Sequence, residues 1–132
     1  FTNKQRSKFD IPTAVIFEKS NFETAMSKAR LDNKLIFIDV YTGWCSPCLG
    51  FTQNVLTNEE VGKYMNAAFI NLKYDAEKDE GIEVAKKYHI NSYPTLLIVD
   101  KDGNIVENIG DSIQWVPNAE DMIAVSKKYM RE

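Results

Sequence analysis

"LIFIDVYTGWCSPC", residues 35–48, runs a nearly continuous apolar stretch straight into both cysteines of the chain. Leu35 to Tyr41 is rich in branched and aromatic side chains, the pattern of a strand covered on both faces. One carboxylate, Asp39, interrupts it. Gly43 to Ser46 then turns the chain, and a helix is expected to begin around Cys45 to Pro47, because proline is tolerated in a first turn where its missing N–H would be unpaired anyway. Cys45 and Cys48 admit three readings: a structural staple, half of a metal site, or a dithiol that trades electrons with other proteins.

Cysteine usage separates these readings. A small domain held by disulfides normally carries four or more cysteines at separated positions, whereas this chain has two. Bridging Cys45 to Cys48 closes a very small ring, and the entropic gain from a cross-link grows with loop length. A structural zinc wants four Cys or His ligands, and beyond this pair the chain offers only His89. A structural bridge and a metal half-site shared between chains stay open as alternatives, and no metal is expected. The balance falls on a redox dithiol.

The 132 residues are enough for one domain that buries about two-thirds of its unfolded surface. Hydrophobic residues make up 44% and charged residues 27%, which argues against extended disorder. No apolar run approaches the roughly 20 residues that span a bilayer, so no transmembrane segment is expected. The net charge is −3, and Lys4, Arg6 and Lys8 form the one basic cluster, which argues against a nucleic-acid partner. A start at Phe1 fits a processed chain from which a leader has been removed.

Residues 1–13 read as an N-terminal arm, loosely ordered or forming a short edge segment, and 14–132 as a single domain. Ala14 to Phe17 is a short strand candidate. Ser20 with Glu23 has capping-box spacing, followed by Phe22, Ala25, Met26 and Ala29 at helical intervals. Thr57 with Glu60 repeats that spacing and predicts another helix start, with Val61, Tyr64 and Met65 inward. Ala68 to Leu72 reads as a strand, and Asp79 to Tyr88 as a helix with Ile82, Ala85 and Tyr88 inward. Thr95 to Val99, a turn over 101–104, and Ile105 to Ile109 form a hairpin, and Asn118 caps a last helix carrying Met122, Val125, Ser126 and Tyr129. That order is α/β: a central mixed sheet flanked by helices on both faces, with the dithiol at the carboxyl end of its strand.

With Trp44-Cys45-Ser46-Pro47-Cys48, Asp39 six residues earlier, Tyr93-Pro94-Thr95 downstream and the Asp102-Gly103 turn in place, the chain resembles the thioredoxin superfamily over residues 14–130. The long first helix, Thr57, and Tyr88-His89-Ile90 resemble most the exported thioredoxin-like reductases related to the C-terminal domain of the transmembrane thiol reductase. The resemblance implies the thioredoxin fold, a proton relay between Asp39 and Cys48, and a cis Tyr93–Pro94 bond facing the dithiol, beside which a substrate backbone could pair. Trp44, Ser46, Pro47, Tyr93 and Thr95 would then contact substrate, with rim packing as the bland alternative for Trp44 and Tyr93.

At a helix N-terminus the Cys45 thiolate is favoured by unpaired N–H groups and the dipole, so Cys45 is the expected nucleophile at an exposed tip and Cys48 the shielded resolving thiol. Ser46 either donates to a sulfur or merely faces solvent. Asn71 is expected where many thioredoxins place a lysine near the buried carboxylate, with Lys73 two residues beyond. Leu49 and Gln53 depart from the usual lysine and helix-kinking proline. His89 is expected to be structural, and Trp115 has no role readable from sequence. The function expected is a thiol–disulfide oxidoreductase, acting as a reductase on protein disulfides and fed by an upstream thiol donor. It would be monomeric, need no cofactor beyond the Cys45–Cys48 disulfide, and work in an extracytoplasmic compartment, with the cytoplasm as the alternative. A binding or redox-sensing module without turnover is the competing function.

Overall fold

The computed structural model describes residues 7–113 and 115–130. Lys4 and Arg6 of the basic cluster lie outside the described residues. Four strands, β1 (Leu35–Tyr41), β2 (Phe69–Asp75), β3 (Thr95–Val99) and β4 (Ile105–Asn108), form one mixed sheet in the order β2-β1-β3-β4. β1 runs parallel to β2 and antiparallel to β3, and β4 closes the hairpin with β3. Six α-helices accompany them among the described residues: α1 (Phe22–Asp32), α2 (Ser46–Phe51), α3 (Glu59–Ala68), α4 (Glu80–Lys87), α5 (Ile109–Ser112) and α6 (Ala119–Tyr129).

Period-2 alternation along β1 divides the interior. Ile36, Ile38 and Val40 join Leu97, Val99, Ile70 and Leu72 in a core roofed by Phe22, Ala25 and Ala29 of α1 and Val84 of α4. Phe37, with Phe69, Leu96 and Ile98, faces the other way into a core built by Phe51, Leu56, Val61, Met65, Met122 and Val125. The sheet is therefore covered on both faces, which is why β1 reads as an apolar run broken only by Asp39.

Several local expectations shift by a residue for identifiable reasons. Asn21, not Ser20, caps α1: its side chain accepts from the Thr24 N–H at 2.8 Å, and the Phe22 N–H goes to Glu80 Oε2 at 3.0 Å. Asn58, not Thr57, caps α3 by accepting from the Val61 N–H, because the Thr57 hydroxyl donates instead to the Gln53 carbonyl at 2.6 Å. Between α2 and α3, residues Thr52–Leu56, Gln53 among them, widen into a π-helical turn. Ala14 to Phe17 is not a strand: it makes a single parallel bridge, Phe17 to Asn71, because the Ala14 and Val15 N–H groups are taken by the Leu56 carbonyl. In α4 and at its C-cap, Ala85 and Tyr88 pack against the core as expected, beside the buried Gly81 and Val84, while Ile82 is exposed. β4 stops at Asn108, whose side chain accepts from the Gly110 N–H and starts α5, turning Ile109 into the core. The Asn118 cap holds as expected and is completed by Asp121, which accepts from the Asn118 N–H.

Candidate active site

β1 ends at Tyr41, and the chain turns through Thr42-Gly43-Trp44 into α2, with the Cys45 N–H donating to the Thr42 carbonyl at 3.2 Å. Cys45 is the N-cap of α2 and Pro47 lies in its first turn, as proline's missing N–H permits. Cys45 and Cys48 are joined as a disulfide with Cα atoms 5.3 Å apart, and Cys45 Sγ accepts from the Cys48 backbone N–H at 3.1 Å. The sulfur of Cys45 thus occupies the place a side-chain oxygen takes at an ordinary N-cap. When reduced, the same N–H favours its thiolate over its thiol.

Cys45 was expected at an exposed tip, but it is only 5% exposed, and Cys48 only 1%. Both pack in a small cluster with Phe9 and Tyr41, edged by Leu49 and Tyr93. Ser46 is exposed and makes no hydrogen bond to either sulfur among the described residues. Trp44 is 68% exposed, meets Tyr93 edge-on with ring centroids 5.9 Å apart, and donates from Nε1 to Glu77 Oε2 at 3.1 Å. The Tyr93–Pro94 peptide bond is cis, and Pro94 is buried while Tyr93 is half-buried beside the disulfide. Thr95 is buried and its hydroxyl donates to the Ser92 carbonyl at 2.6 Å, so it fixes this turn rather than presenting a free hydroxyl.

Asp39 alternates with Val40 and so shares the face of Phe37, beneath α2. It is 2% exposed, with Oδ1 unpartnered, and burial pushes its carboxyl from 3.8 up to about 7 against the opposing pull of Lys73. The cross-strand register corrects the expectation about that lysine. Asp39 pairs with Lys73, whereas Asn71 pairs with Phe37, because β2 continues to Asp75 instead of stopping at Leu72. Burial and the carboxylates of Asp75, Asp39 and Asp10 push the Tyr41 phenol upward, so it stays protonated near neutrality.

His89 takes a left-handed conformation, φ 53°, at the end of α4, and its N–H donates to the Lys86 carbonyl. Trp115 is exposed, with its N–H on the Gly110 carbonyl. Among the described residues no cluster of three or more His, Cys, Asp or Glu side chains could hold a metal ion, and no helix is long and apolar enough to cross a membrane. Phe9, Tyr41 and Glu77 are the site residues that sequence reasoning missed, and none left a local signal of its role. Lys73 is legible as a nearby lysine, but the expected register sets it two residues beyond the position opposite Asp39, which it occupies.

A helix N-cap sulfur bridged to a buried one, a buried carboxylate under the same helix and a buried proline after Tyr93 form one constellation. The family model described as thioredoxin-like matches residues 17–101. The chain belongs to the thioredoxin-like family. A candidate disulphide-isomerase from Bacteroides thetaiotaomicron, solved in solution, superposes with a TM-score of 0.70 at 34% identity, covering 87% of this chain and 92% of that one. The H-type thioredoxin of Oryza sativa subsp. indica is 36% identical over 85 residues, 64% of each chain. The thiol:disulfide interchange protein DsbD of Yersinia pestis is 25% identical over 105 residues, which span 75% of this chain and 18% of that protein. The chain thus matches less than two thirds of the length of these curated relatives.

Proposed function

We propose that this protein is a thiol–disulfide oxidoreductase that works as a reductase of protein disulfides through Cys45 and Cys48. The observation that carries the reading is the Cys45 sulfur at the N-cap of α2, accepting the Cys48 N–H, with Cys48 buried one turn behind it. In the reduced protein the Cys45 thiolate attacks one sulfur of a substrate disulfide, forming a mixed disulfide and releasing a substrate thiolate, which takes up a proton. Cys48 then gives its proton to the Asp39 carboxylate and attacks Cys45 Sγ. The second substrate thiol leaves, and two electrons have passed to the substrate while Cys45–Cys48 is oxidised. An upstream dithiol donor of protein nature resets the pair by the reverse exchange.

A carboxyl held at about 7 suits the transfer, since near neutrality it is divided between the form that accepts a proton and the form that returns it. Trp44, Pro47, Ser46 and Tyr93 form the contact surface for an extended substrate segment, with Pro94 and Thr95 holding the Tyr93 turn in place. The proposal takes the protein as a monomer of one domain over 14–132, preceded by its arm, with no cofactor beyond the disulfide. It places the protein in an extracytoplasmic compartment. Similarity to the interchange protein supports that placement, and similarity to plant thioredoxins supports the cytoplasmic alternative.

Equilibration of the dithiol against glutathione and dithiothreitol buffers, together with capture by a Cys48→Ser variant, tests the reading. A potential near or below about −250 mV and a mixed disulfide on Cys45 are expected for a reductase. A potential above about −180 mV turns the assignment to an oxidase or isomerase. A pair that does not cycle, with no captured partner, leaves a binding or redox-sensing module.

A further inference from the structure

Residues 7–13 form a strap across the redox site. At one end the Phe9 N–H donates to Ser7 Oγ at 3.1 Å and the Asp10 N–H to the Ser7 carbonyl at 3.0 Å, closing a tight turn. At the other, the Ala14 and Val15 N–H groups donate to the Leu56 carbonyl at 2.9 and 3.2 Å, and Asn66 Nδ2 donates to the Ala14 carbonyl at 3.0 Å. Ala14 lies so close to α3 that a Cβ on Gly62 would stand 2.6 Å from the Ala14 carbonyl oxygen. Inside the Ser7–Asp10 turn Phe9 is 2% exposed, its ring stacked on Tyr41 with centroids 4.3 Å apart and packed in the cluster of both sulfurs. Its carbonyl accepts from Lys73 Nζ at 3.1 Å, and Lys73 is the cross-strand partner of Asp39.

One residue therefore meets the sulfur pocket with its ring and the lysine beside the buried carboxylate with its backbone. We propose that Phe9 is a positioning residue of the redox site: its ring closes the pocket to water, its carbonyl holds the Lys73 ammonium, and together they govern proton exchange at Asp39. The inference rests on the oxidoreductase reading and assigns the arm a part in it.

Two opposing influences act on Asp39, burial raising its proton affinity and Lys73 lowering it. Removing the Phe9 ring admits water, which weakens the first, and loosens the carbonyl that draws the ammonium away, which strengthens the second. Both changes act in the same direction, toward an ordinary carboxyl. Among the described residues the charged and titratable groups that bear on Asp39 are Lys73 on β2 and Tyr41 on its own strand, with Asp75 and Asp10 on the Tyr41 side, while β3 places Leu96 opposite. In the oxidised protein Cys45 and Cys48 are bridged and carry no titrating proton, so neither sulfur overlaps the titration of Asp39.

The test is a carbon-13 NMR titration of the Asp39 carboxyl in the full oxidised chain, with the Phe9→Ala and Phe9→Leu variants. Phe9→Ala is expected to lower the midpoint by about one pH unit, and Phe9→Leu, which keeps apolar bulk, to restore most of it. If Phe9→Ala does not fold, Phe9→Val takes its place with an expected lowering of about half a unit. A destabilised Ala or Val variant that titrates at the wild-type midpoint overturns the proposal, because a merely structural Phe9 would change melting and leave the titration alone. Cycling of the wild-type dithiol in glutathione buffers, run alongside, separates the two readings. Failure to cycle removes the oxidoreductase assignment, whereas normal cycling with an unmoved midpoint removes the Phe9 role alone.

Discussion

Replacing Asp39 by asparagine removes the titration of a carboxyl that is 2% exposed and whose pKa burial raises from 3.8 to about 7 despite the pull of Lys73. The folded protein holds this proton more tightly than the unfolded chain. Its contribution to stability is therefore fully present below the unfolded value and is lost as pH rises through the folded one. At about 1.4 kcal/mol per pH unit, the span between the two values amounts to roughly 4 kcal/mol, and relaxation around the charge brings the expected loss to about 2–4 kcal/mol. The amide that replaces the carboxyl in Asp39→Asn is uncharged throughout. The variant should gain on the wild type between about pH 4 and about pH 8 by that amount, and any fixed cost of packing the amide is already present at the acidic end and cancels. Urea unfolding of both oxidised proteins across this range measures it. Two stability profiles that run parallel to within about 0.5 kcal/mol would refute the claim that Asp39 is held protonated by burial.

Lys73→Met removes the one cation among the described residues that lowers the Asp39 pKa, so the carboxyl midpoint should rise above about 7 by roughly half a unit or more, read by the same carboxyl titration; an unmoved or lowered midpoint would mean that the ammonium has no hold on Asp39. Gly81→Ala places a Cβ against the Asp75 carbonyl, backbone against backbone at the junction of β2 and α4, and should cost about 2 kcal/mol or more in urea unfolding. A loss below about 0.5 kcal/mol would show that the junction yields easily.

Patterns spanning a few residues were legible in the chain itself. The apolar run of β1, the N-terminal helical position of Cys45, the Asn118 cap and the turn over 101–104 follow from periodicity, proline, glycine and capping chemistry, which are local properties. Cap positions slipped by one residue at Asn21 and Asn58 because several neighbouring side chains had the right chemistry. Competing partners decided between them: the distant Glu80 takes the Phe22 N–H, and the Gln53 carbonyl one turn back takes the Thr57 hydroxyl.

The sequence by itself determined an α/β chain carrying a dithiol at the end of a buried strand, with a carboxylate inside that strand. Each of these is written in residue type and spacing along the backbone. Tertiary structure alone decided which groups meet. The register of β2 against β1 sets Lys73 rather than Asn71 beside Asp39, and the path of the arm brings Phe9 over the sulfurs. Pairing across a parallel sheet and docking of a distant segment depend on which surfaces bury each other best, and no local pattern encodes that choice.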